Sequence, residues 1–345
     1  MIGSDGPSAH DPGAEAATTR AAKLADAASV PISVPGGGTI RVGTASWTDP
    51  TMTAPGVFYP ADARNAEDRL TYYAHQFPVV EVDATYYAMP VARTAALWAA
   101  RTPPDFVFDA KAHALMTGQP TEVRRLPKPL RDALPADLAG KARIYGKDLP
   151  RELQDAAWDL FLEGLAPLRE SGQLGSILLQ YPRWFFPSSE SRDAITQAQA
   201  RLKEQGVACA VEFRSAAWLN EKNAERTLRF LADHSLPFVM VDEPQGFKSS
   251  VPATVAVTSP ELAIVRFHGR RAETWEAQGI APSERFRYLY DREELGEWVP
   301  RIRQAAREAR DVHVLMNNCF ASYGTTNARE IAMLLADVRL GGAFG

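Results

Sequence analysis

The chain has few cysteines, no long apolar run and no excess of basic residues, which are features that mark particular classes of protein. Its 345 residues include only two cysteines, Cys209 and Cys319, too few and too far apart for a disulfide framework or a cysteine-rich zinc site. No stretch approaches the roughly 20 consecutive apolar residues of a membrane span. The formal net charge is -4, so no overall basicity indicates nucleic acid, and only a local basic patch is left open. These absences predict a soluble protein of the reducing cytoplasm that does not bind membranes.

The first 38 residues also lack a pattern of their own. They are rich in Ala, Gly, Pro, Ser and Asp, and they contain neither an apolar run of signal-peptide length nor a basic start before one. This composition predicts a disordered tail over residues 1–38. Residues 39–345 are then predicted to form a single domain.

What the rest of the chain does have is a regular alternation of β-like and helical stretches. Short apolar, β-branched runs are separated by segments with helical spacing, which predicts a parallel sheet with right-handed crossovers. Eight such units predict an α/β fold, a TIM-type (β/α)8 barrel. The sixth crossover is expected to be irregular, because no convincing helix follows the sixth run. The predicted strands are residues 40–46, 79–84, 106–111, 175–180, 207–213, 237–241, 263–268 and 312–316.

Long loops are predicted after three of these strands, at residues 112–150, 243–261 and 269–291. In a barrel of parallel strands such loops lie at the carboxyl ends of the strands, where functional sites are built. We therefore expect any site of this protein at that end.

Charged residues close four of the predicted strands. Residues two apart in a strand lie on one face, roughly 6.6 Å apart, so each closing triplet directs two polar groups the same way. The strands are otherwise too apolar for a surface, which predicts that these groups face an interior or a cleft. The triplets are Glu81-Val82-Asp83, Asp109-Ala110-Lys111, Glu212-Phe213-Arg214 and Arg266-Phe267-His268, and the other strand endings carry Trp47, Gln180, Asp242, Asn317 and Asn318.

Short motifs follow one another in a specific series. They include Gly43-Thr44 with Trp47, Phe58-Tyr59-Pro60, Tyr87 with Pro90, Thr94 with Trp98, Lys111, Gln180 with Pro182, Glu212-Phe213-Arg214 with Trp218, Asp242, Arg266 with His268-Gly269, Asn317-Asn318 and Asn327-Ala328. In this series the chain resembles the YecE-like family, domain of unknown function 72, over about residues 40 to 340. The resemblance implies a TIM-type barrel and supplies no established reaction. The chain departs from the family pattern at Asp83-Ala84, which adds a carboxylate, and at Thr117-Gly118, which removes an imidazole.

The strand endings predict a site of mixed charge. Glu212, Asp242 and His268 are the predicted catalytic residues, because carboxyl and imidazole groups transfer protons. Cationic endings suit a phosphate, a carboxylate or a developing oxyanion, and amide endings suit hydroxyl groups. Structural ion pairs are the alternative reading, with Arg214 neutralising Glu212. The predicted ligand-binding residues are Trp47, Glu81, Asp83, Lys111, Gln180, Arg214, Arg266, Asn317 and Asn318.

No cofactor is predicted, and a divalent metal is the alternative. Its ligands would be Glu81, Asp83, Glu212, Asp242 and His268, which are of the types that divalent ions choose. No motif such as HExxH supports that set, and the neighbouring cations oppose a second positive charge.

Three functions are compatible with the sequence. The leading hypothesis is an enzyme that acts by acid-base chemistry on a polar, anionic small molecule of the phosphorylated or carboxylated sugar type. The second is nucleic-acid binding or metal-dependent phosphodiester hydrolysis, which would use loop cations such as Arg124, Arg125 and Arg131 and would depend strongly on salt. The third is a metabolite sensor or scaffold without catalysis. The sequence identifies neither the substrate nor a partner protein.

Overall fold

The computed structural model describes residues 12–24 and 26–336. The main sheet has nine strands: the short strand Ile32–Ser33 pairs at its side, and the other eight form a continuous order. Each of these eight begins within two residues of a strand predicted from the sequence. They are β1 Thr39–Thr44, β2 Val79–Val82, β3 Val107–Lys111, β4 Leu174–Tyr181, β5 Ala208–Phe213, β6 Val239–Asp242, β7 Leu262–Phe267 and β8 Asp311–Met316.

The strand order identifies the fold class. Neighbouring strands in the sheet run β5-β4-β3-β2-β1-β8-β7-β6, and a parallel bridge between Val211 of β5 and Phe238, just before β6, joins the two ends of this order. The pairings from β7 through β8 and β1 to β2, and from β3 through β4 to β5, are parallel. A cyclic order of eight parallel strands is that of a (β/α)8 barrel, so the predicted fold class is confirmed.

Helices alternate with the strands as predicted. The sixth crossover, residues 243–261, contains no helix, which confirms the expected irregularity. None of the helices in the described residues combines the length and the apolar composition of a membrane span. The longer helices are α1 Pro12–Ala22, α2 Ala66–Gln76, α3 Ala92–Ala100, α4 Arg151–Glu170, α5 Ser189–Glu204, α6 Ala224–Asp233, α7 Arg292–Glu308 and α8 Tyr323–Ala336.

Local sequence explains where two of these helices begin. Asn65 precedes α2, and its Oδ1 accepts hydrogen bonds from the backbone N–H groups of Glu67 and Asp68 at 2.8 and 2.9 Å. Asp291 caps α7 in the same manner and forms a capping box with Glu294. Each cap satisfies donors that a helix start leaves without partners, which stabilises the helix by about 1 kcal/mol.

The chain divides into two compact units, each with its own core. Unit 1 comprises the residues up to Val80, Val241–Gln245 and the residues from Pro260 onward; unit 2 comprises Glu81–Met240 and Gly246–Ser259. In unit 1, apolar residues of β7 and β8 are buried with the inner faces of α7 and α8. In unit 2, β4 and β5 are buried with the inner faces of α4 and α5.

The predicted long loop after β3 is a folded segment of unit 2. Two short strands, Thr121–Glu122 and Arg143–Ile144, pair antiparallel within it, and two short helices, Lys128–Asp132 and Ala136–Ala139, lie between them. We call residues 112–150 the insert. Its apolar side chains form a hydrophobic cluster with Met89 and with Ala157 of α4. The insert contributes Leu115, Val123, Leu126, Leu130, Leu134, Leu138, Ile144 and Leu149 to this cluster.

The N-terminal segment differs from the predicted disordered tail. Residues 1–11 lie outside the described residues, but α1 follows them, and Ile32–Ser33 pairs antiparallel with β1. The buried Ala17 packs with Phe320 and Tyr323 near the start of α8. Arg20 forms an ion pair with Glu330 at 2.6 Å. Composition does not reveal this helix because the contacts of its small residues are with the region of α8, more than 300 residues away in the chain.

Candidate functional site

Glu212, at the end of β5, is the centre of the polar cluster in unit 2. Its side chain is 0% exposed, whereas that of the neighbouring Arg214 is 18% exposed. Gln180 is the partner of Glu212 across the β4–β5 pairing and donates from Nε2 to Oε1 at 2.8 Å. Arg214 donates to the same oxygen at 3.4 Å. The structure thus brings together three of the residues that the sequence predicts for a site.

Lys111 and its neighbours form a second group in unit 2. The Lys111 ammonium lies 4.6 Å from the ring centroid of Tyr86, within the range of a cation–π interaction. Thr85 donates to the Lys111 carbonyl at 2.6 Å, which ties the end of β3 to the 3-10 turn Asp83–Tyr86.

The acidic residues predicted at the ends of β2 and β3 lie in different settings. Because β2 ends at Val82 and Asp83 begins the 3-10 turn, Asp83 does not continue the strand pattern that carries Glu81. Both Glu81 and the strand residue Asp109 are fully buried, and Asp109 accepts from Ser176 at 2.8 Å.

Asp242, at the end of β6, is the centre of the polar cluster in unit 1. Oδ1 accepts from the Tyr290 hydroxyl at 2.7 Å, and Oδ2 accepts from the Trp298 indole at 2.7 Å. Arg270 donates to both oxygens, from Nε at 3.0 and 3.2 Å and from a terminal nitrogen at 2.8 Å. The carboxylate therefore has a donor on every side, which is the condition for burying a charge at low cost.

Arg270 is held by more than Asp242. A terminal nitrogen also donates to Glu297 at 2.8 Å. The hydrogen bonds that Arg270 donates to Asp242 are the main cause of its raised pKa, and those to Glu297 contribute further. Its side chain is 28% exposed, so the cation is fixed in direction and still reached by solvent. Arg270 lies in the long loop after β7, and no sequence pattern marks Tyr290 or Trp298 as a site residue.

The asparagines that follow β8 are engaged within unit 1. Asn317 lies 2.8 Å from Nδ1 of His268, which is itself buried. Asn318 donates to the Tyr288 carbonyl and to Oδ1 of Asn327, both at 2.8 Å. Asn327 in turn bonds the backbone of Tyr290. These amides fasten the loop after β7 to the start of α8.

The remaining predicted residues of unit 1 are packed in the interior. Trp47 follows β1 and is 7% exposed, and Arg266 is 1% exposed. The Trp47 carbonyl accepts from the Tyr59 hydroxyl at 2.5 Å. Within residues 12–24 and 26–336, no three His, Cys, Asp or Glu side chains are grouped as metal ligands.

A buried histidine in the insert escaped the sequence prediction. His113 is 0% exposed, and its Nδ1 accepts from the backbone N–H of Leu115 at 3.4 Å. Burial lowers its pKa from 6.5 to about 4. The sequence feature that could have marked His113 as a candidate is its position two residues after Lys111, at the end of a predicted strand.

This histidine predicts a pH dependence of stability. As the pH falls below 6.5, His113 becomes protonated in the unfolded chain, whereas in the folded chain it becomes protonated only near pH 4. The contribution of neutral His113 to the free energy of unfolding is therefore complete above pH 6.5. It falls by up to about 3 kcal/mol as the pH is lowered toward 4. Urea unfolding of wild type and His113→Asn, measured across this range, should show a shallower loss in the variant, whose amide keeps the acceptor for Leu115. Parallel curves would contradict the prediction.

Together these features define a class. Parallel strands in cyclic order, alternating with helices and ending in buried charged residues, define a TIM-type barrel with polar strand endings. The chain belongs to the family described as protein of unknown function DUF72, whose model matches residues 41–341. This confirms the resemblance found in the sequence motifs.

Relatives and solved structures agree with this assignment. The chain is similar to the UPF0759 protein YunF of Bacillus subtilis (strain 168), with 28% identity over 299 residues that cover 86% of this chain and 94% of that protein. It is also similar to the crystal structure of a DUF72 family protein from Enterococcus faecalis V583, with 26% identity, a TM-score of 0.67, and coverage of 86% and 95% of the two chains. A DUF72 family protein from Thermotoga maritima MSB8 gives 28% identity, a TM-score of 0.65, and coverage of 86% and 98%.

Proposed function

We propose that this protein is an enzyme that transfers a proton to or from a small anionic molecule of the phosphorylated or carboxylated sugar type. The observation that carries the proposal is the Glu212 cluster, in which a fully buried carboxylate at a strand end lies beside a partly exposed guanidinium. Buried carboxyl groups next to cations are typical proton-transfer groups in enzymes. We assign proton transfer to Glu212.

The cations of the strand endings supply the affinity for an anion in this proposal. Arg214 is the partly exposed member of the Glu212 cluster, and its planar guanidinium suits bidentate binding of a carboxylate or phosphate. Lys111 adds a second positive charge in unit 2, and Gln180 adds an amide that suits a hydroxyl group.

Asp242 receives a different role from the one that its sequence position suggested. Because its oxygens already accept from Arg270, Tyr290 and Trp298, we assign it to positioning Arg270. In unit 1 the partly exposed Arg270 is then a further candidate for holding negative charge. His268, which contacts Asn317, stays a candidate for proton transfer.

The test is depletion of a metabolite by the pure protein. Wild type, Glu212→Gln and Glu163→Gln are each incubated with a cell extract, and anionic compounds are followed by mass spectrometry. We expect wild type and Glu163→Gln to consume the same compound. Turnover by Glu212→Gln should fall by at least about a hundredfold, the scale of general acid-base catalysis. Glu163 is exposed on α4, so its variant makes the same chemical change away from the cluster.

Two outcomes would contradict the proposal. Full turnover by Glu212→Gln would remove Glu212 from the reaction. A compound that wild type retains through gel filtration and never converts would show a binding protein without catalysis, which is the sensor hypothesis. Arg214→Ala should lose affinity for the anionic compound in either case.

A further inference from the structure

Two cavities are lined mainly by residues of the insert, and neither is lined by Glu212, Gln180 or Arg214. The larger has a volume of about 630 Å³ and is lined by Arg124, Arg131, Lys141 and Arg143, among other residues. The smaller has a volume of about 270 Å³, and its lining includes Tyr86, Tyr87 and Arg125. Glu122 and Arg143 line both cavities, and they are paired across the short antiparallel ladder. The two cavities are therefore neighbouring parts of one surface.

Positive charge dominates this surface. Glu122 is its one carboxylate and is shared by three arginines: Arg124 and Arg125 reach Oε2 at 2.9 and 3.0 Å, and Arg143 lies 3.7 Å from Oε1. The hydrogen bond from Arg124 is the main cause of a lowered pKa of Glu122. One carboxylate can neutralise only one of the three guanidinium groups.

Two further cations in the larger cavity, Arg131 and Lys141, have no acidic partner among the described residues. Arg131 donates to the Arg124 carbonyl at 3.3 Å, and in the described part of the chain neither Arg131 nor Lys141 forms an ion pair with a carboxylate. Five cationic side chains thus face one anion in the two linings. Like charges gathered at this density repel one another, and a multiply charged anion would relieve that repulsion.

The backbone that carries Arg124 and Arg143 is anchored by a strand pairing and by buried neighbours. The ladder places Glu122 opposite Arg143, and the buried neighbours Val123 and Ile144 belong to the hydrophobic cluster of the insert. A preformed site loses less conformational entropy on binding than a loop that must become ordered. The arrangement is therefore suited to a specific ligand.

We propose that these two cavities bind a ligand that carries a chain of two or three phosphoryl groups. The phosphoryl chain lies in the larger cavity, where guanidinium groups bind phosphate oxygens in bidentate fashion. The volume of the larger cavity falls in the range of small-molecule sites. The shared chemistry fits either an inorganic polyphosphate or a nucleoside polyphosphate, whose base would stack on the tyrosines of the smaller cavity. The site uses none of the residues that the proposed function assigns to ligand binding or proton transfer.

Calorimetric titration at low ionic strength, in buffer without divalent metal, tests the proposal with tripolyphosphate, ATP and a single-stranded oligonucleotide as probes. Low salt is needed because exposed charges are screened. Arg143→Ala should weaken tripolyphosphate binding by at least about tenfold, the value of one charge-assisted contact. Glu122→Gln should tighten it by about threefold to tenfold, because the carboxylate no longer competes for the arginines. Lys128→Ala is the matched control: it removes a cation that pairs with Asp132 outside both linings, and it should bind like wild type.

The results separate the sources of the ligand. Tighter binding of ATP than of tripolyphosphate supports a nucleotide, and equal binding supports the phosphoryl chain alone. The proposal is overturned if wild type binds neither compound, if Arg143→Ala binds like wild type, or if the oligonucleotide binds more tightly than both. Circular dichroism checks the fold of each variant, and Lys141→Ala replaces Arg143→Ala if that variant does not fold.

Discussion

Replacing Asp242 with leucine is expected to lower the free energy of unfolding by about 3 to 5 kcal/mol, the usual cost of removing one partner of a buried ion pair. The substitution leaves the Tyr290 hydroxyl and the Trp298 indole, both buried, without the oxygens that accept from them. It also leaves Arg270 with Glu297 and Glu294 as its acidic neighbours. Equilibrium unfolding in urea, followed by circular dichroism, measures the loss.

Two milder variants show whether the network is responsible. Trp298→Phe removes a single donor and should cost about 1 to 2 kcal/mol. Asp242→Asn keeps the shape of the side chain and should fall between Trp298→Phe and Asp242→Leu, since one oxygen remains. A loss of less than about 1 kcal/mol for Asp242→Leu would mean that the hydrogen bonds contribute little net stability.

Replacing Gly43 with alanine is expected to cost about 3 kcal/mol or more. A Cβ atom at this position would lie 2.0 Å from the Val79 carbonyl oxygen and 2.9 Å from its carbon. Both atoms belong to the backbone of β2, which pairs with β1 at this point. Relief would require the two strands to separate, so the cost should reach or exceed the upper end of the range for overpacking. Thermal and urea unfolding measure the effect.

Gly140→Ala is the control for this prediction. Nothing lies within 4 Å of the position that its Cβ would occupy, and its backbone is in the right-handed helical region. The same chemical change should therefore alter stability by no more than about 0.5 kcal/mol. Similar losses in both variants would show that the close approach of β1 and β2 is not the cause.

The parts of the molecule that obey a short-range rule were predictable. A strand needs only period-two or uniformly apolar residues, and helical spacing repeats within a few turns, so the eight strands follow from local patterns. The Glu212 cluster was predictable for the same reason. Glu212 and Arg214 are two residues apart, and Gln180 lies one residue before the end of the preceding strand of a parallel sheet.

The parts that depend on distant partners were not predictable. Asp242 was predicted to handle protons, but its contacts come from Arg270, Tyr290 and Trp298, which lie 28 to 56 residues further along the chain. No local pattern marks such partners. The helix α1 depends in the same way on α8. Asp83 leaves the strand pattern because β2 ends at Val82, two residues before the predicted end at residue 84.

The separate hydrophobic cluster of the insert has a consequence for how this protein can change over evolutionary time. Its cationic cavities stand on side chains that the eight strands do not supply, whereas Glu212 and Gln180 belong to the strands themselves. Apart from contacts such as that of Gln119 with the Gln180 carbonyl, at 3.1 Å, substitutions that reshape the insert can therefore accumulate without disturbing the strand endings. Descendants of one ancestral chain could keep the same chemistry at the strands while exchanging whatever anion the insert recognises.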